Sequence, residues 1–201
     1  MDVTTTIAIV AAYLVGSIPT SYLIGRWVGG VDIRQHGSGN VGASNLTSQV
    51  GAKWAAPVVV FDVFVKGSLP VFLVSSRYLD LGVGTEATVA IAAILGHNWS
   101  VFAKFQGGRG MATVLGTTLA LDFPLLIVYG SVPALGVLFT PWKDSAVWWL
   151  IAVIMMPIWA ALLNLPVELV IFSAVFALIT AFKRMTSNSL RDTSGTISAR
   201  L

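Results

Sequence analysis

Residues 52–75 read AKWAAPVVVFDVFVKGSLPVFLVS, an apolar run with two ionisable groups, Asp62 and Lys66, set deep inside it. A helix of roughly 20 apolar residues crosses the hydrocarbon of a bilayer, and this run is long enough. The fold turns on whether it is a buried core helix of a soluble domain or a membrane span. Asp62 and Lys66 stand i, i+4, on one helix face, where opposite charges meet. Ionisable groups at that depth face a bundle interior, pair with each other or line a ligand pocket. The sequence leaves open whether this pair holds helices together or takes part in a pocket.

Composition favours the membrane. The 201 residues are 56% hydrophobic and only 10% charged, with a mean hydropathy of +0.83, whereas soluble domains carry about 25% charged residues. So little polar surface cannot face water all round, which makes a single large soluble core the poorer reading. Working outward from residues 52–75, further apolar runs cover residues 5–28, 87–105, 110–121, 125–140, 146–163 and 167–182. The expectation is an all-α polytopic protein with seven transmembrane helices over residues 1–183. A short polar tail, residues 184–201, rich in Ser, Thr and Arg, reads as partly disordered. The N-terminal run has no basic flank and no small-residue cleavage signal, so it reads as a retained helix. No internal repeat is visible, which gives an inverted-repeat transporter no support.

Charge placement supports the count. With the C-terminus inside, Arg26, Arg34, Lys53, Lys104, Arg109, Lys143, Lys183, Arg184, Arg191 and Arg200 all fall on the cytoplasmic side, and only Arg77 falls outside. Asp2, Asp80, Glu86, Asp122 and Glu168 collect on the outer side. Cations concentrate in cytoplasmic loops, and six or eight spans would scramble this asymmetry. Trp99, Trp142, Trp148 and Trp149 near span ends read as an aromatic belt.

Two glycine-rich runs then share the inner face. GSGNVGASN, residues 37–45, precedes the second span, and GHNWSVFAKFQGGRG, residues 96–110, closes the third. Glycines permit positive φ and close backbone approach, so successive N–H groups can converge on an anion. Ser38, Asn40, Ser44 and Asn45 add neutral donors, and Arg109 lies among Gly107, Gly108 and Gly110 at a helix start. Either run alone also reads as a flexible loop; two on one face point to a polyanionic ligand. His97 reads as a base or, as is commoner for a lone His at a helix end, a hydrogen-bonded structural group. The sequence has no Cys, HExxH, GxSxG or Walker A spacing, and neither His36 nor His97 begins a His-x4-Asp dyad.

GSIPTSYLIGR (16–26), VDIRQHGSGNVGASN (31–45), DVFVKG (62–67) and GHNWSVFAKFQGGRGMAT (96–113) occur in this order. Together they resemble successive blocks of the bacterial acyl-phosphate-dependent glycerol-3-phosphate acyltransferases. The resemblance implies an inner-membrane protein of seven spans with its polar site at the cytoplasmic face. It implies transfer of a fatty acyl group from acyl phosphate to the 1-hydroxyl of glycerol 3-phosphate, giving lysophosphatidate for phospholipid synthesis. The implied partners are these two substrates and the lipid bilayer, with no nucleic acid, metal or cofactor.

On that resemblance the catalytic candidates are Ser38, Asn40 and Arg109. The substrate-binding candidates are Gly37, Gly39, Gly42, Asn45, Lys66, His97, Lys104, Gly107, Gly108, Lys183 and Arg184. The chain departs from the family pattern at Ser48 (Arg in the family), Gln106 (Lys), Arg109 (Lys), Lys183 (His) and Thr186 (Asn), with Asp144 or Ser145 at a Ser-containing turn. The alternatives are an altered or inactive paralogue that binds phosphorylated lipid ligands and, behind it, a small membrane transporter.

Overall fold

A computed structural model describes the backbone of residues 2–142 and 145–198, and the side chains of 2–142 and 147–186. The described residues form helices and loops, without a strand. In order these are α1 (Val3–Gly16), α2 (Thr20–Gly29), α3 (Ala43–Val50), α4 (Ala52–Phe61), a π-wound segment (Asp62–Ser68), α5 (Leu69–Val74), α6 (Val83–Asn98), α7 (Met111–Leu121), α8 (Phe123–Phe139), α9 (Ser145–Leu162) and α10 (Val167–Ser198).

Most apolar runs become helices close to their expected limits, but the run expected at 87–105 is the helix Val83–Asn98, and there are four further differences. The first run is divided: Pro19 has no N–H to donate and restrains Ile18, so α1 stops and α2 begins beyond the break. The run at residues 52–75 is helical throughout, but its middle is wound wider, as a π segment just ahead of Pro70. GSGNVGASN does not lead into the second span as expected. It leads into the short α3, whose first residue, Ala43, lies inside the motif. Finally, the expected tail is continuous with α10 as far as Ser198, since residues 184–198 contain no Pro and one Gly. The side chains of Lys143, Asp144, Ser145, Arg191 and Arg200 lie outside the described residues.

Val3–Gly29, Ala52–Val74 and Val167–Thr186 are each long and apolar enough to cross a membrane, while Met111–Leu121, Phe123–Phe139 and Val147–Leu162 are apolar but shorter. The outer faces are apolar too. Val3, Ile7, Val10 and Leu14 recur at helical spacing and are exposed, as are Leu135, Leu138 and Phe139 on α8 and Ile171 and Leu178 on α10. Such faces suit lipid rather than water.

Inside, small residues let backbones touch. α1 lies along α6 with their C-terminal ends together: a Cβ on Gly16 would collide with the Ala93 carbonyl, and one on Gly96 with that of Tyr13. The Tyr13 hydroxyl donates to the Trp99 carbonyl at 2.9 Å, closing that end. α7 is pressed onto the π segment in the same way, Gly116 against the Val63 carbonyl and Gly67 against that of Thr113. The main core gathers Val71, Val89, Ile94, Val114, Phe172 and Phe176 around Tyr129, whose ring sits 5.3 Å from Trp149. A smaller core of Ile33, Val41, Leu46, Ala55 and Val58 seats the first glycine-rich loop on α3 and α4.

Candidate functional site

Both glycine-rich loops lie at the end where α1 and α6 finish. The first is held from below by Asn45, which is 2% exposed. Its Nδ2 donates to the carbonyls of Ile33 (2.7 Å), His36 (3.1 Å) and Asn40 (3.1 Å), and its Oδ1 accepts from the Ser38 N–H at 3.0 Å. The loop turns through Gly37 and Gly39 at φ +58° and +66°, a region L-residues seldom enter. Asp32 braces it further, accepting from Arg34 through the backbone N–H (3.1 Å), Nε (2.9 Å) and Nη2 (2.7 Å). Those Arg34 bonds hold the Asp32 carboxyl down at about 2, and the carboxylate raises Arg34 in turn.

The second loop folds back onto the end of α6. The Gly108 N–H donates to the His97 carbonyl at 3.1 Å. A Cβ on Gly107 would collide with that same carbonyl, and one on Gly108 with His97 Nε2. Gly110, at φ +76°, then starts α7. α10 completes the end: the half-buried Lys183 donates to the Asn98 carbonyl at 2.6 Å and lies 5.0 Å from the Trp99 ring centre.

Two adjoining cavities open between these pieces. The first, about 570 Å³, is lined by Arg34 to Val41 of the first loop except His36, by Gln106, Gly107 and Arg109 of the second, and by Trp99, Phe182, Lys183 and Thr186. The second, about 310 Å³, is lined by the polar Asn40, Ser44, Asp62, His97, Arg109, Thr180 and Arg184 and by the apolar Val59, Met111, Leu115, Trp149 and Leu150. Asn40 and Arg109 belong to both.

The candidates sort clearly by place. Gly37, Ser38, Gly39, Asn40, Gly107, Arg109 and Lys183 line the first cavity, and Gly42, His97 and Arg184 line the second. Asn45 and Gly108 line neither; they shape the loops. Lys104 is exposed and outside both linings. Lys66 is 2% exposed, lies in neither wall and is bonded to Asp62 at 2.7 Å. The sequence reading missed Arg34, Trp99, Trp149 and Thr180 as lining residues. Arg34, in VDIRQH beside the first loop, and Trp99, inside the second glycine-rich run, had a local signal. Four departures from the family pattern, Gln106, Arg109, Lys183 and Thr186, line the first cavity, whereas Ser48 lies outside both linings.

Comparison with known proteins places this architecture. Residues 6–192 match the family model described as glycerol-3-phosphate acyltransferase. A relative named glycerol-3-phosphate acyltransferase 5 from Dehalococcoides mccartyi is 46% identical over 128 residues, 63% of this chain and 54% of that protein. The matched stretches span 54% and 55% of the first two such relatives, little more than half their length. The glycerol-3-phosphate acyltransferase of Desulforudis audaxviator is 38% identical over 172 residues, covering 86% of this chain and 84% of its own. A crystal structure of PlsY, an integral membrane glycerol 3-phosphate acyltransferase in its glycerol 3-phosphate form, superposes with a TM-score of 0.82 at 28% identity, over 96% of this chain and 93% of that one. Its lysophosphatidic acid form gives 0.80 at 27%. The loops, the helix order and the apolar outer faces therefore have one common source: this multi-pass membrane protein belongs to the glycerol-3-phosphate acyltransferase family.

Proposed function

We propose that the protein transfers a fatty acyl group from acyl phosphate to the 1-hydroxyl of glycerol 3-phosphate, yielding lysophosphatidate and inorganic phosphate. The observation that carries this is the pair of adjoining cavities, the first richer in polar groups and the second more apolar, which share Asn40 and Arg109. Glycerol 3-phosphate suits the first and the acyl chain of the donor suits the second, so the donor's phosphate and the acceptor's hydroxyl meet at the shared residues. Acyl phosphate is a mixed anhydride. The acceptor oxygen forms the new C–O bond, the C–O bond to phosphate breaks, and the hydroxyl proton passes to a substrate phosphate, so no covalent enzyme intermediate is needed. The protein's part is to position two anions and to stabilise charge growing on the carbonyl oxygen. Ser38, Asn40 and Arg109 serve at the junction. Gly37, Gly39, Gly107 and Lys183 serve the first cavity, with Gly42, His97 and Arg184 in the second.

The site faces the cytoplasm of a bacterial cell, beneath seven spans, on the strength of the cation asymmetry. The family relatives and the two ligand forms of PlsY support the acceptor and product. The test is an acyl-transfer assay on purified protein with acyl phosphate and acyl-CoA side by side: turnover with acyl phosphate alone is expected, and none with either donor overturns the reading. One observation favours a second reading. The departures at Gln106, Lys183 and Thr186 share the first cavity, so an acceptor other than glycerol 3-phosphate is its form, read by offering other polyol phosphates in the same assay.

A further inference from the structure

Asp62 puts a carboxylate in the wall of the second cavity, beside the residues proposed to hold phosphate. A bare carboxylate there would repel an anionic ligand, with little water to screen it. Lys66 answers that problem. Its Nζ lies 2.7 Å from Asp62 Oδ1 and donates to Thr20 Oγ1 at 3.0 Å, while the Thr20 hydroxyl donates to Asp62 Oδ1 at 2.8 Å. The other carboxylate oxygen faces His97 Nδ1 at 3.7 Å. Asp62 thus ties α2 to the π segment, and its second oxygen faces the end of α6 without a hydrogen bond. Lys66 cannot reach a ligand itself, being in neither cavity wall and ahead of Gly67, whose backbone lies against α7. π-wound turns inside α-helices often mark functional sites, and this one carries both members of the pair.

We infer that Lys66 is a positioning residue that cancels the charge of Asp62, so that Asp62 can stand in the wall of the second cavity and tie α2 to the π segment without repelling the phosphate ligand. This rests on the proposed phosphorylated substrates. A pair that merely joins helices predicts that losing either member weakens binding alike. Charge cancellation predicts opposite behaviour from the two.

The experiment measures the Kd for glycerol 3-phosphate by calorimetry, on protein whose tryptophan fluorescence shows it folded, for wild type, Lys66→Met, Asp62→Asn and the double variant. Lys66→Met should bind about tenfold more weakly or worse, since an uncancelled charge acts at short range. Asp62→Asn should bind at least as tightly as wild type, and the double variant should lie within about threefold of it. Equal weakening in both single variants overturns the inference. Should Lys66→Met not fold, weakening beyond about tenfold in Asp62→Asn or the double variant overturns it just as well. Wild type that binds but does not turn over with acyl phosphate counts against acyl transfer and leaves this inference standing; wild type that does not bind removes both.

Discussion

Arg109 stands in the walls of both cavities, where the two phosphates and the reacting carbonyl would meet. Removing one well-placed electrostatic contact to a developing charge costs about 100-fold to 1,000-fold in kcat. Arg109→Ala should therefore lose about 100-fold or more in turnover while its unfolding midpoint stays near wild type; activity indifferent to this change would place the chemistry elsewhere. Gln106 lines the first cavity without charge, so Gln106→Lys should tighten glycerol 3-phosphate binding in calorimetry. The Asp32–Arg34 brace gives a pH prediction. Asp32 is held at about 2, below the ordinary carboxylate value of about 3.9. A lowered folded value means the stabilisation is complete above the ordinary value and is lost as pH falls through about 2. The difference in unfolding midpoint between wild type and Asp32→Asn should thus be flat from about pH 5 to 8 and shrink below about pH 4.

At the scale of elements, the contact between α7 and the π segment depends on Gly116, where a Cβ would drive into the Val63 carbonyl. Backbone cannot move aside as a flexible side chain does. Gly116→Ala should cost about 1–3 kcal/mol, as overpacking does, and lower the unfolding midpoint in detergent, whereas Gly130→Ala, inside α8 with open space around it, should hold or raise it. The helices themselves were legible because long apolar runs have few alternatives in a chain this poor in charge. α3 was not: ASNLTSQV has a helix's contacts only after Asn45 and Leu46 are buried beneath the loop, and nothing local announces that. Nor was the π winding, since i, i+4 spacing of Asp62 and Lys66 fits an α-helix equally well. For the site, glycine runs and Arg109 were visible as motifs. Trp149 and Thr180 reach the second cavity from α9 and α10 by tertiary packing alone, which no stretch of sequence records. Asn45 carried a motif but has its amide turned into the loop, a direction that spacing does not reveal.

For the whole molecule, the parallel contact of α1 and α6 fixes which features share an end. Their C-terminal halves meet at Gly16 and Gly96, beside Trp99 and both loops, so their N-terminal ends, near Thr4 and Asp80, lie together at the far end. α1 has 14 residues, and at 1.5 Å rise per residue it separates the two ends by about 20 Å. The loop end carries Arg34, Lys104 and Arg109 and the far end carries Asp2, Asp80 and Glu86, and the proposed cytoplasmic placement of the loops rests on the bias of cytoplasmic loops toward Lys and Arg. The chain has no native cysteine, so single cysteines at Thr4, Ser48, Asp80 and Ser194 report without background. An impermeant thiol reagent added to intact cells should modify Thr4→Cys and Asp80→Cys only. Thr4 and Asp80 share an end, so labelling at one but not the other would contradict the helix arrangement itself. Labelling at Ser48→Cys or Ser194→Cys would leave that arrangement intact but invert the membrane orientation, moving the proposed site to the outer face.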